Sequence, residues 1–228
     1  MTLPLGEPVD STPARLPQRC TLSGRYTTIV PLDPASHSDA LWQHSGGPGN
    51  DALWAYLFAG PFDNRTAFDT YLKAKAATDD PLFYTIIDNA SAAAVGLASY
   101  MRIEPVHRCI EVGSILYTPQ LQRTRAATEA MYLMARYVFE ELGYRRYEWK
   151  CNALNEPSRR AAVRLGFTFE GIFRRHMIVK GRNRDTAWYA MLDSEWPDRK
   201  VAFERWLDPA NFDSEGKQKF LLNPNRAT

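Results

Sequence analysis

Residues 124–142 constrain this chain more than any other stretch. Ala127, Ala130, Met131, Met134, Val138 and Leu142 recur at helical spacing and make one apolar stripe, with Glu129, Arg136 and Glu140 opposite it. Gly143 supplies the stop. One β-type run, 108–117, leads into this helix and another, 145–151, follows it. A long amphipathic helix between two strands has to lie across a sheet and bury its stripe there.

The flanking patterns fit that layer. Residues 25–32 read as a strand, and 34–44 as a helix capped by Asp33. Ala67, Phe68, Tyr71, Leu72 and Ala76 predict a helix over 64–78, whereas the aromatic-rich 50–62 fits neither period. Runs 82–87, 93–103 and 108–117 are strand-like, the first two meeting at Asp88-Asn89. In the third, Ile110, Val112 and Leu116 alternate with Glu111, Gly113, Ile115 and Tyr117, which assigns the two sets to opposite faces. Beyond 145–151, Asn155 caps a second helix, with Pro157 in its first turn and Gly166 after its last. Strands 168–179 and 185–192, joined through Lys180-Gly181-Arg182-Asn183, and a helix over 195–207 complete the order. The fold class expected is α/β, a mixed sheet with helices on both faces. Residues 1–22, with four prolines, read as an extended arm, 23–207 as one domain, and 208–228 as a polar tail that could dock through Phe220-Leu221-Leu222.

Composition narrows the function classes. Hydrophobic residues at 45% and aromatics at 12% exclude wholesale disorder. Lys+Arg 28 against Asp+Glu 26 leaves a net charge of +2, too balanced for a dedicated polyanion binder, so no nucleic-acid partner is expected. The longest apolar run, 92–101, falls short of the ~18 residues a membrane helix needs. The first twenty residues hold no apolar signal core, and Cys20, Cys109 and Cys151 form no CxxC pair. The expectation is a cytoplasmic protein with free thiols and no metal site. There is no P-loop, no dinucleotide fingerprint and no GxSxG, and the four histidines make no HxxxH pair.

What remains is the junction ILYTPQLQRTRAATEA, where a strand runs through a short loop into the best helix. A helix N-terminus offers unpaired N–H groups and the positive end of the dipole, so it can seat a phosphate. Arg123 and Arg125 add charge, and Ala126 and Ala127 leave room for close approach.

Three segments carry a resemblance to a known family. EVGSILYTPQLQRTRAATEA, CNALNEPSRRAAVRLGFTFEG and GRNRDTAWYAMLDSEW are similar to the GNAT acyl-CoA-dependent N-acetyltransferases, in the branch of the ribosomal-protein alanine/serine acetyltransferases. With the N-terminal GRYTTIVPLDP, the resemblance covers about residues 22–207. In the phosphate loop Gln122 and Ala127 match the outer positions of Q/R-x-x-G-x-G/A, while Arg125 stands at the first glycine.

The resemblance implies a mostly antiparallel sheet splayed open at an acetyl-CoA site. Backbone groups of Ile115 and Tyr117 would pair with the pantetheine arm, and the amides of Gln122, Arg123, Thr124, Arg125, Ala126, Ala127 and Thr128 would hold the pyrophosphate. Asn155 would bond the pantetheine, and Ser158 would protonate the leaving thiolate. Glu111 is the candidate general base, directly or through a water, with a salt-bridged sheet residue as its other reading. His176 is an adjacent titratable group, beside Met177, where the branch has a further glutamate. Residues 54–62 and Trp149 would wall an acceptor groove, and Arg174, Arg175, Lys180, Arg182 and Arg184 form a basic hairpin suited to an acidic acceptor or to nucleic acid. The function implied is acetyl transfer to a primary amine, either a protein N-terminus, a small molecule or an aminoacyl-nucleotide, by a monomer or homodimer. The rivals are a non-catalytic acyl-CoA-binding module and an RNA- or ribosome-binding adaptor.

Overall fold

Asp33, Asn64, Thr124 and Asn155 each stand one residue before a helix, and each side-chain oxygen accepts a backbone N–H from the first turn: Ala35, Ala67, Ala127 and Ser158 at 2.9–3.2 Å. The helices they start are α1 (Pro34–Ser45), α3 (Arg65–Ala76), α4 (Arg125–Arg136) and α5 (Glu156–Arg164). A short α2 (Asp51–Trp54) lies inside the aromatic-rich segment, and α6 (Trp196–Leu207) follows the last strand. A computed structural model describes residues 3–223; the first two residues of the predicted arm and residues 224–228 of the predicted tail lie outside it.

The strands are β1 (Leu22–Ser23), β2 (Thr27–Pro31), β3 (Leu82–Asp88), β4 (Ala93–Glu104), β5 (Cys109–Tyr117), β6 (Arg146–Asn152), β7 (Thr168–Val179) and β8 (Arg182–Leu192). They form one sheet in the order β1-β2-β3-β4-β5-β6-β8-β7. Neighbours run antiparallel except β5 and β6, which are parallel because α4 carries the chain across between them. The β7–β8 connection is tighter than the sequence suggests. Lys180 (φ +50°) and Gly181 (φ +71°) alone make the turn, so β8 already begins at Arg182.

Two apolar layers sandwich the sheet. Ile110, Val112, Tyr147 and Trp149 pack toward α4 and α6 on one face. Phe83, Leu97 and Leu116 pack against Leu41, Trp54, Phe68 and Leu72 from α1–α3 on the other. The predicted stripe of α4 is buried, and residues 126–135 are buried all round, which takes in Glu129 from the expected polar face, while Arg136 is half-buried and Glu140 exposed as that face requires. Glu129 is 5% exposed, and its carboxylate accepts the backbone N–H groups of Arg25, Tyr26 and Thr27 at 2.6–2.9 Å. The sequence pattern misses this because Glu129 satisfies a turn one hundred residues away. The last turn of the helix, Tyr137–Leu142, widens to π geometry and ends at Gly143 (φ +77°).

The segments flanking the domain lie against it. Ala14 N–H donates to Pro105 O, Arg15 N–H to Leu142 O, and Tyr84 Oη to Gln18 O. In the tail Trp206 Nε1 donates to Gln218, and Leu222 is buried while Phe220 and Leu221 are half exposed.

Candidate active site

The site begins with one extra residue in β5. From the Leu97–Leu116 pair to the Ser99–Gly113 pair, β4 advances two residues and β5 three. Ser114 absorbs the difference with φ +51°, a β-bulge built without glycine. The bulge inverts the alternation expected from the sequence. Ile110 and Val112 face α4, yet Leu116 packs in the α1–α3 layer, while Ile115 and Tyr117 turn toward α4, where Tyr117 Oη donates to Ala127 O at 2.9 Å. Glu111 therefore lies on the face opposite Ile115 and Tyr117, not beside them.

The bulge also coincides with a parting of the sheet. β5 and β6 pair from Cys109–Arg146 to Val112–Trp149 and no further. Past that point β6 pairs on with β8 as far as Asn152–Thr186, and residues 113–117 keep only β4. The flank of β5 that faced β6 is left with backbone groups open to a ligand. A cavity of about 520 Å3 fills the gap, lined on one side by Ser114, Ile115, Tyr117 and Gln122 and on the other by Cys151, Asn152, Asn155 and Ser158.

At the α4 end the loop consumes some of its own donors. The N–H groups of Gln122, Thr124 and Ala127 go to Thr118 O, Leu121 O and Thr124 Oγ1. The amides of Arg123, Arg125 and Ala126 have no acceptor among the described residues. Arg123, ahead of the N-cap, adopts φ +64° in the left-handed region. Of the seven residues expected to hold a pyrophosphate, three amides are thus unclaimed, at the positive end of a helix. The Thr128 hydroxyl is occupied, accepting from Arg164 at 3.1 Å, and the Gln122 side chain donates to Tyr117 O at 2.9 Å. The Arg125 guanidinium, expected at the phosphates, turns away and stacks on Phe212, with the Tyr26 ring also near it.

The start of α5 forms the opposite wall. Asn155 Oδ1 caps Ser158 N–H, which leaves its Nδ2 free of acceptors among the described residues. Ser158 Oγ accepts from Trp149 Nε1 at 3.0 Å, and its hydroxyl lies beside the Cys151 thiol. Burial pushes the Cys151 thiol up against the opposing pull of the adjacent Ser158, so it stays protonated near neutral pH.

Glu111 is 2% exposed, and its Oε2 meets Arg102 Nη1 at 2.5 Å and Lys150 Nζ at 3.0 Å. Lys150 continues to Glu148 at 2.5 Å, and Glu148 to Arg146 at 2.6 Å. Burial alone would raise Glu148, but the hydrogen bonds and charges of Lys150 and Arg146 win and hold it below the usual 4.5. Glu111 Oε1 stands beside Gly113, where a Cβ would come within 3.3 Å of it and would collide with Met101 Sδ. Arg102 and Lys150 were not singled out as site residues from the sequence, and Arg184 only as one of five residues of a basic hairpin suited to an acidic acceptor. The alternation Arg146, Glu148, Lys150 along β6 was the available signal for a charged row on one sheet face.

The aromatic segment divides. Trp54 is fully buried, edge-on to Phe62 at 5.0 Å, and belongs to the core. Tyr56, Leu57 and Phe58 line the cavity instead. Two hydrogen bonds tie this segment across the cleft, Tyr56 Oη to Leu154 O at 3.1 Å and Lys180 Nζ to Trp54 O at 2.8 Å. His176 is exposed beside Thr186 Oγ1 at 3.0 Å, its pKa lowered by burial and by Arg102, Arg184 and Lys150 against the pull of Glu111.

A parallel pair that opens next to a helix N-terminus is a specific arrangement, and comparison with known proteins gives it a family. The model of the acetyltransferase (GNAT) domain matches residues 28–168, which include the bulge, the loop, α4 and α5. The chain belongs to the GNAT acetyltransferase family. A GCN5-related N-acetyltransferase from Brucella melitensis superposes with a TM-score of 0.91 at 49% identity, covering 93% of this chain and 96% of that one. A probable GNAT-family acetyltransferase from Chromobacterium violaceum ATCC 12472 gives 0.79 at 38% identity, covering 86% and 99%. Among curated proteins, "Putative ribosomal N-acetyltransferase YdaF" of Bacillus subtilis (strain 168) is 30% identical over 105 residues, or 46% of this chain. That match spans 57% of YdaF. The GNAT family uses acetyl-CoA, and the unclaimed amides and the open β5 flank are groups of the kind a diphosphate and an amide-bearing arm would fit. No helix among the described residues is long and apolar enough to cross a membrane, and they contain no cluster of metal-ligating side chains.

Proposed function

We propose that this GNAT chain transfers the acetyl group of acetyl-CoA to a primary amine, both bound at once. The observation that carries the reading is the parting of β5 from β6 after Val112 and Trp149, beside three amides at the head of α4 that have no acceptor among the described residues.

Each wall then has a task. Amides of Arg123, Arg125 and Ala126 hold the diphosphate. The unpaired flank of residues 113–117 and the Asn155 side chain align the pantetheine arm as an added strand. Acetyl-CoA supplies the activated thioester carbonyl. The amine nitrogen bonds to the carbonyl carbon, the C–S bond breaks, and charge building on the oxygen is met by backbone N–H groups on the open flank. Ser158 gives its proton to the departing sulfur. The Trp149 N–H that Ser158 Oγ accepts eases that loss by drawing electron density from the oxygen. Glu111, positioned by Arg102 and Lys150, takes the proton of the amine directly or through a water.

Calorimetric titration with acetyl-CoA, followed by thiol release with a panel of primary amines, tests the reading. Binding with amine-dependent thiol release supports it. Binding with no release for any amine leaves a CoA-binding module, and no binding removes the reading altogether.

A further inference from the structure

Of the charged side chains lining the cavity, Glu111 and Lys150 neutralise each other, and Arg184 is left over. Arg184 is 6% exposed, and its side chain makes no hydrogen bond or ion pair among the described residues. Its Nε is enclosed without an acceptor, and its guanidinium stacks under Phe58, 4.9 Å from the ring centre. The carboxylates nearby are already committed. Glu111 belongs to Arg102 and Lys150, and Glu148 to Lys150 and Arg146. Asp185, next in sequence, instead accepts Arg175 N–H and Asn183 Nδ2. An unpaired buried cation costs several kcal/mol, enough that proteins seldom keep one without a counter-charge from elsewhere.

We propose that Arg184 receives a carboxylate of the acceptor, so that the amine acetylated here belongs to a small amino acid-like molecule. This rests on the acetyl-transfer reading and narrows its acceptor. Position supports it. Arg184 and residues 113–115 of the open β5 flank line the same cavity, so one small molecule can reach both. Shape supports it as well. Phe58 covers a face of the guanidinium and leaves its edge, the fork that pairs with a planar carboxylate. The cross-ties Tyr56–Leu154 and Lys180–Trp54 fence the cleft, which favours a small occupant over a protein chain. A polyamine would bring a second uncompensated cation to Arg184.

The test uses the full chain with acetyl-CoA and matched acceptors: common amino acids, their carboxamides, short peptides with free N-termini, and spermidine. The expected result is that at least one amino acid is used with kcat/KM at least about 30-fold above its carboxamide, the lower end for breaking a buried charge pair. Arg184→Met should erase that preference while leaving CoA affinity unchanged, and should raise Tm by removing an unpartnered buried charge. Equal use of acid and amide, preference for peptides or spermidine, or a preference that survives Arg184→Met would each overturn the proposal. If no amine is turned over although CoA binds, thermal shifts decide: amino acids stabilising the wild-type CoA complex but not the Arg184→Met complex uphold the site, and no difference overturns it.

Discussion

The Arg125 guanidinium lies 3.7 Å from the centre of the Phe212 ring and 5.7 Å from that of Tyr26. An arginine at the usual glycine position of the phosphate loop thus spends its side chain on anchoring the tail, and its backbone N–H stays unclaimed. Arg125→Ala should leave CoA affinity within about twofold and lower Tm by about 1–4 °C, the size of a partly exposed cation–π contact in a chain of this length. Calorimetry reads both quantities. A large loss of CoA affinity at unchanged Tm would put the guanidinium back at the phosphates.

Ser158 is the donor to the departing sulfur in this scheme. Ser158→Ala should lower kcat about 100-fold or more with CoA affinity nearly unchanged, within the range for a positioned acid. Pre-steady-state thiol release with a saturating amine measures it. Equal turnover would remove the role and leave only the acceptor of the Trp149 N–H.

Glu111 and His176 compete as proton acceptor, and pH separates them. Glu111→Gln should reduce kcat and change the pH–rate profile, whereas His176→Gln should leave the profile in place. Burial first, then Arg102, Arg184 and Lys150, hold the imidazole below its usual 6.5. A limb below pH 6.5 that disappears in His176→Gln would hand the role to the histidine.

Glu148 links the β5–β6 junction to acid stability. Burial opposes its charge, but Lys150 and Arg146 outweigh that and lower its pKa from 4.5 in the folded state. A depressed carboxylate stabilises the fold at pH values above its unfolded pKa and loses that contribution as pH falls through the folded one. Stability of the wild type should therefore drop below about pH 4.5, and Glu148→Gln should flatten the drop. Urea denaturation at pH 7, 5 and 4 follows it; parallel curves for the two proteins would contradict the assignment.

Glu129 is a structural carboxylate. In Glu129→Gln the side-chain amide would face N–H donors of Arg25, Tyr26 and Thr27, so stability should fall by about 2–4 kcal/mol. Chemical denaturation measures it, and a change below about 0.5 kcal/mol, the scatter of neutral surface substitutions, would show that the turn finds other acceptors.

Much of the frame was legible locally. Caps at Asp33 and Asn155, the stop at Gly143 and the stripe of α4 depend on neighbours within a few residues, and sequence spacing reports those directly. The bulge was not legible. Ser114 carries no residue-type signal for φ +51°, and a single inserted residue reverses every later side chain in the strand. Two buried charges were hidden for another reason: Glu129 acquires and Arg184 lacks partners through pairings distant in sequence, whereas the salt-bridged reading of Glu111 was open from the start. Arg184 read as one of five basic hairpin residues, yet the turn at Lys180-Gly181 and the ties to the α2 segment bury it under Phe58.

The most direct measurement is a crystal structure of the protein soaked in acetyl-CoA. The diphosphate should lie on the amides of Arg123, Arg125 and Ala126, with the arm along residues 113–117 and the thioester next to Ser158. Nucleotide bound anywhere else, or a gap between β5 and β6 that stays closed to the arm at saturating ligand, would contradict this reading.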